Sequence, residues 1–287
     1  MSNNEPFELT EDRDFISGIY NYCDRWCEKC PFTSRCRVYS IEAADPDLND
    51  PEVHDLNNAK FWHKLESIFK EAHEKIAAWA EEAGVDLEAL DDEAIAEHEQ
   101  QEKEADEHQL SELARQYAMT VQEWFAEEFA TEQNLQDMML GAEGTPDIGV
   151  AGAAEVIRWY QFFIAAKVIR ALMSRSQAPL LEAIGDDDPF PDSDDPFPIA
   201  EADDDTEAFS DVVRDDGNGS AKIALIAIDR STAAWHAMEM CLPAKSDSIA
   251  PIFAELERLR WLLEQEFPVA REFIRPGFDE LDTELVN

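Results

Sequence analysis

Apolar residues recur at helical intervals along most of this chain. Trp62, Leu65, Phe69, Ala72, Ile76 and Trp79 follow one another at alternating spacings of three and four, which lays them on one stripe of a helix over about 56–83 with a charged opposite side. Leu110, Leu113, Tyr117, Val121, Trp124 and Phe125 supply the buried side of a second helix over about 92–130, whose first half is nearly all polar. A third helix is expected over about 147–175. At roughly 100° per residue its Glu155, Arg158, Gln161, Lys167 and Arg170 project to widely separated sides, so no solvent face survives and this helix is the candidate centre of a bundle. A fourth is expected over about 220–242. A fifth begins near Asp247, tolerates Pro251 in its first turn, repeats Ile249, Ile252, Leu256, Leu259 and Leu263, and stops before Pro268; a short helical turn then ends at Pro276-Gly277. No strict two-residue alternation competes, so the pattern predicts an all-α bundle of about five long helices.

Charge divides the chain further. Asp186 to Asp216 holds fourteen acids and one base and repeats Asp-Pro-Phe-Pro at Asp188–Pro191 and Asp195–Pro198, which predicts an irregular acidic loop over 184–219. The organisation that follows is a cysteine-bearing segment over 1–45 packed on the bundle, bundle helices over 55–183 and 220–287, and the loop between them. The 65 acids against 23 bases give a formal charge of −42, which opposes binding to nucleic acid or an anionic membrane and leaves a protein partner, with basic ones favoured, as the expected contact. Acids at Met1 to Asp14 replace the basic and apolar stretches of a secretory signal, and the polar interruptions between Ile148 and Met173 argue against a membrane span. A cytoplasmic protein is expected.

The cysteines carry the chemistry. Cys23, Cys27, Cys30 and Cys36 fall within fourteen residues, while Cys241 stands alone as a small buried apolar residue. In a reducing compartment such clustered thiols are read as ligands rather than disulfides. Thr10 can cap a helix whose first turn carries Glu11 and Asp12; continued to Cys30, it would place Cys23, Cys27 and Cys30 on one stripe. Pro31 stops that helix, and the following turn can return Cys36 as a fourth ligand. A regular helix separates the Cα atoms of Cys23 and Cys30 by about 10.5 Å, slightly beyond the roughly 9.5 Å that one zinc can span. A four-iron cluster is wider and fits; fraying near Pro31 would readmit zinc. Arg25, Lys29, Arg35 and Arg37 outnumber Asp24 and Glu28 in this stretch, and bases beside anionic thiolates lower their electrostatic cost. Phe15, Ile19, Tyr22 and Trp26 form a neighbouring stripe that can exclude water or serve simply as core.

The run Cys27-Glu28-Lys29-Cys30-Pro31-Phe32-Thr33-Ser34-Arg35-Cys36 resembles the Cys-x2-Cys-Pro-aromatic-x3-Cys segment of iron–sulfur-stapled nucleases of the RecB and CRISPR-adaptation families. The resemblance covers ten residues and implies a four-iron cluster. In those families the first ligand lies far upstream, whereas Cys23 is four residues before Cys27, and no strands bearing Asp and Glu-x-Lys accompany it, so nuclease activity is not implied. Cys23-x3-Cys27-x2-Cys30 also resembles the radical S-adenosylmethionine signature, but Lys29 stands where that family has an aromatic, and Cys36 could block the open iron.

Other groupings are weaker. His63, Glu66 and His73 share one helix and Glu104 and His108 another, yet the chain has no Glu-x-x-His pair of the kind that builds di-metal bundles. Asp229, Thr232, His236 and Glu239 form a polar stripe that, opposite Glu155 and Arg158, could make a buried network or an acid–base site. Arg158, Lys167, Arg170 and Arg175 could bind an anion or pair with acids of the chain. The leading expectation is an iron–sulfur protein for redox sensing or electron transfer to a partner, not an enzyme in its own right. The alternatives are a zinc-stapled acidic adaptor and a helical metalloenzyme with a His/carboxylate centre.

Overall fold

The computed structural model describes residues 15–44, 50–54, 58–83, 92–128, 149–184 and 209–279. These residues form α-helices and short 3-10 turns, with no strand among them, as the all-α reading requires. The helices are α1 (Arg37–Ala44), α2 (Ala59–Ala83), α3 (Asp92–Glu107), α4 (Gln109–Glu128), α5 (Gly149–Ile184), α6 (Phe209–Cys241) and α7 (Ser246–Glu266). They belong to two compact units, one made of Met1–Val85 with Ile274–Asn287 and the other of Asp86–Phe273. The cysteine segment thus shares a unit with α2 and the C-terminal stretch.

In the larger unit α5 and α6 form the most extensive helix pair, with α4 and α7 completing the core. Trp235, Tyr117, Ile157, Ile164, Ile228 and Met238 are fully buried there. Trp124 meets Trp235 edge to face at 4.9 Å and donates its indole N–H to Ser248 at 2.9 Å, so its polar atom is satisfied as its ring is buried. The helix expected over 92–130 is two helices. His108 breaks it, and its Nδ1 accepts the Leu110 N–H at 3.2 Å, supplying a partner for one of the amide groups that a new helix start leaves open.

Two further expectations change. First, α5 does have a solvent side: Glu155, Arg158, Trp159, Phe162, Ala166 and Arg170 are exposed along one stripe, while Gln161 is buried and donates to the Ala118 carbonyl at 2.8 Å. Apolar residues on the wet side and a satisfied amide on the dry side hid it. Second, α6 begins at Phe209, inside the expected acidic loop, whose remaining positions 185–208 lie outside the described residues. Asp215-Asp216-Gly217-Asn218-Gly219 looks like a turn. Instead Gly217 faces α5 closely, the position of an added Cβ lying 3.4 Å from the Ala171 carbonyl oxygen. Pro251 likewise sits inside α7, beyond its first turn, and is exposed.

In the smaller unit, α2 starts at Ala59 and ends, as predicted, at Ala83, but lacks the predicted burial. Trp62, Phe69 and Ile76 are 57%, 66% and 52% exposed; the Trp79 side chain lies outside the described set. Its polar side carries ion pairs one turn apart, Lys70 with Glu74 and Lys75 with Glu71.

Candidate metal centre

The helix expected to carry the first three cysteines does not form over residues 15–30, and its capping residues Thr10, Glu11 and Asp12 lie outside the described residues. Two left-handed positions break it. Gly18 has φ +68 and Arg25 φ +57, and the Asp24 carboxylate accepts the Trp26 N–H at 3.2 Å, a local turn that competes with helix. One 3-10 turn then spans Cys27–Lys29 and a second spans Thr33–Arg35. The Ile16 N–H donates to the Arg35 carbonyl at 3.0 Å, closing the whole segment into a loop. Cys36 immediately precedes α1, and its carbonyl accepts the Ser40 N–H at 3.0 Å.

Cys23, Cys27, Cys30 and Cys36 all line one pocket, together with Ile19, Trp26, Tyr39 and Phe278. All four are half-buried, and none is in a disulfide. Cys30 Sγ accepts the Phe32 N–H at 3.4 Å, while the Cys23 thiol donates to the Tyr20 carbonyl at 3.5 Å. Burial pushes the Cys27 thiol up; Arg25 opposes this, and Glu42, Cys23 and Cys30 push it further in the same direction. Among the described residues, however, no three or more His, Cys, Asp or Glu side chains converge closely enough to grip one ion. The four cysteines border a common hollow without forming such a group.

The local base excess is also smaller than the sequence suggests. Arg25 is bonded to Glu42 of α1 at 2.7 Å, and the Lys29 ammonium lies 4.1 Å from the Trp26 ring centroid. Of the aromatic stripe, Ile19 and Trp26 are buried against the pocket, whereas Phe15 and Tyr22 are half-buried.

Sequence reasoning missed the C-terminal wall of this pocket. Phe278 packs edge to face on Phe32 at 5.0 Å, and Arg275 grips the Asp279 carboxylate through Nε at 3.0 Å and Nη2 at 2.7 Å while lying over the Phe278 ring. Gly277, at φ +73, lets the chain pass so close that an added Cβ would stand 2.8 Å from Ile16 Cδ1. Pro276-Gly277, read as the end of a helical turn, is the bend of this clasp; the helical turn itself is a 3-10 turn over Ala270–Glu272. The Gly was the available signal.

The remaining sequence-picked groups have separate partners. Asp229 takes Arg271 at 2.9 and 3.4 Å and stands 4.0 Å from Arg260, with Glu264 completing the ion-pair group. His236 is exposed, stacks on Phe253 at 4.2 Å and stands 3.9 Å from Glu239, while the Thr232 hydroxyl bonds back to the Ile228 carbonyl. Glu155 and Arg158 are exposed, Arg158 lying 4.5 Å from the Phe125 ring centroid. Asp229 and His236 thus meet different partners. Arg170 pairs with Asp216 at 3.0 Å and Arg175 with Glu266, so part of the basic run is met by acids of the chain. His63 and Glu66 form an exposed pair, and Glu104 accepts from Gln100 at 2.7 Å. Cys241 is half-buried, its thiol pushed up by that burial. No helix among the described residues is long and apolar enough to cross a membrane. Comparisons with protein-family models, with curated proteins and with solved structures return no match.

Proposed function

We propose that the cysteine pocket holds a four-iron iron–sulfur cluster and that the protein serves redox sensing or one-electron transfer to a protein partner. The observation that carries this reading is that four cysteines, none of them in a disulfide, border one pocket with largely apolar walls. A bound cluster would supply reversible one-electron chemistry, and ligation by all four thiolates would leave no iron open for a substrate. The chain's own contribution is electrostatic and steric. The Phe32 N–H aimed at Cys30 Sγ would withdraw charge from that sulfur and raise the potential, while Ile19, Trp26 and Phe278 would limit water. Tyr20 and Tyr39, each 38% exposed, line the same pocket and offer a partner access to it.

One observation favours a second reading, a zinc-stapled acidic adaptor. Without a regular helix between Cys23 and Cys30 the span argument against zinc no longer applies. Either metal would have to draw the cysteines together, since among the described residues no three His, Cys, Asp or Glu side chains form a group that could hold an ion.

Anaerobic purification of the full chain, with iron, sulfide and zinc analysis and a visible spectrum, decides between them. We expect a brown protein with about four irons and four sulfides per chain, lost in each of Cys23→Ser, Cys27→Ser, Cys30→Ser and Cys36→Ser and retained in Cys241→Ser. A colourless protein with stoichiometric zinc establishes the second reading. Metal that survives removal of all four thiols would instead point to a His/carboxylate centre.

A further inference from the structure

We infer that α2 is a self-association surface, on which a second copy of this chain packs in antiparallel orientation. The stripe Trp62, Leu65, Phe69, Ala72, Ile76 keeps alternating spacings of three and four. That 3.5-residue period is the narrow seam of a coiled coil rather than the broader face of a helix seated on a globular core. The seam is exposed: Phe69 is 66% accessible, and Ile68 beside it is 47% accessible.

Charge selects the occupant. In a chain of formal charge −42, α2 carries four lysines and five glutamates, so two copies meeting here escape most of the repulsion they would meet elsewhere. The same balance disfavours an anionic lipid surface.

Size selects the orientation. A parallel pair would set Ala72 against Ala72 and leave a gap in the middle of the seam. An antiparallel pair centred between Lys70 and Glu71 sets Phe69 of one copy against Ala72 of the other, filling that gap with a large side chain, and Leu65 against Ile76. It also brings Glu66 towards His73 of the second copy and opposes no like charges along that flank.

Area sets the strength. With side chains of roughly 200 Å² each, the exposed parts of Trp62, Ile68, Phe69 and Ile76 offer on the order of 450 Å² per copy. That lies at the weak end of specific interfaces, so a dissociation constant of about 1–100 μM is expected.

The test is sedimentation of the full chain from about 1 to 200 μM in 0.5 M NaCl, where screening reaches within ~4 Å. The expected result is a concentration-dependent dimer that Phe69→Glu abolishes, with unchanged circular dichroism and, at about 0.1 μM where both proteins are monomers, an unchanged melting temperature. Ala72→Leu, crowding Phe69 of the other copy, should weaken association at least tenfold; tighter association in that variant would overturn the antiparallel pairing. A wild-type monomer at 200 μM overturns the inference. So does a fall in melting temperature in Phe69→Glu at about 0.1 μM, where neither protein dimerises, which would mean that the stripe is covered within one chain. Cosedimentation of wild type, but not Phe69→Glu, with vesicles of equal phosphatidylcholine and phosphatidylglycerol would assign the face to lipid and overturn it too.

Discussion

At the scale of single residues, polar atoms deep in the core set a sharp condition on solvent. Tyr117 is fully inaccessible, and its hydroxyl accepts the Trp235 indole N–H at 3.3 Å. Burial pushes the phenol up to about 12 from the usual 10, offset only in part by Ser231 and Trp235. The neutral form is therefore the one the fold favours. Between pH 10 and 12 the folded state holds this proton and the unfolded chain releases it, so stability is complete below pH 10 and falls as pH rises through that window. Two units correspond to a loss of about 3 kcal/mol. Tyr117→Phe should flatten this alkaline decline while costing ~1 kcal/mol at pH 7, because the Trp235 N–H loses its acceptor. Denaturant titrations of both proteins at pH 7, 10 and 11 measure the difference; parallel curves would remove Tyr117 as the cause. Tyr117 itself was legible as a core position from its spacing with Leu110, Leu113 and Val121. The cysteines were equally legible as a group, because their chemistry is written in residue type. The backbone that gathers them was not. An arginine at φ +57 has no sequence signature, and the turn at Asp24 competes with a helix that composition alone favours.

At the scale of elements, helices were legible wherever burial follows amphipathic period, as in α4 and α7, and illegible where packing replaces polarity as the organising force. The start of α6 illustrates this. Two acids and two glycines at 215–219 signal a turn, yet Asp216 reaches Arg170 at 3.0 Å and accepts the Ser174 hydroxyl at 2.8 Å, while Gly217 allows α5 to pass close. Tertiary contacts thus outweigh a propensity cost of about 1 kcal/mol for glycine in a helix. An added methyl group at 217 meets the Ala171 carbonyl oxygen at 3.4 Å, an ordinary contact. Gly217→Ala should therefore change stability by no more than about 1 kcal/mol, helix propensity offsetting the tighter fit. Gly217→Val puts branched methyl groups against the α5 backbone and should cost roughly 1–3 kcal/mol. Chemical denaturation distinguishes the two variants. Equal, small effects would mean that the α5–α6 crossing is looser than these distances indicate.

At the scale of the whole molecule, charge is the dominant unsatisfied quantity. The 23 bases can neutralise at most 23 of the 65 acids, and many visible pairs, such as Arg25 with Glu42 and Arg271 with Asp229, are well exposed. Exposed pairs contribute about 0–1 kcal/mol each and weaken in salt. The 42 unmatched negative charges repel one another, and that repulsion weakens in salt as well. The two responses have opposite signs. Because unmatched acids outnumber the pairs that could form, relief of repulsion should prevail, and the folded state should gain stability as salt is added. The gain should be steepest below about 0.3 M, where the screening length falls from beyond ~10 Å to near 6 Å, and flatten above it. Melting curves in NaCl from 0.02 to 1 M measure this; a melting temperature that falls over the first 0.3 M would mean that the ion pairs, not the excess acids, control the electrostatics. Repeating the series with NaClO4 separates screening from ion-specific salting-out, since at low concentration screening depends on ionic strength and not on the anion.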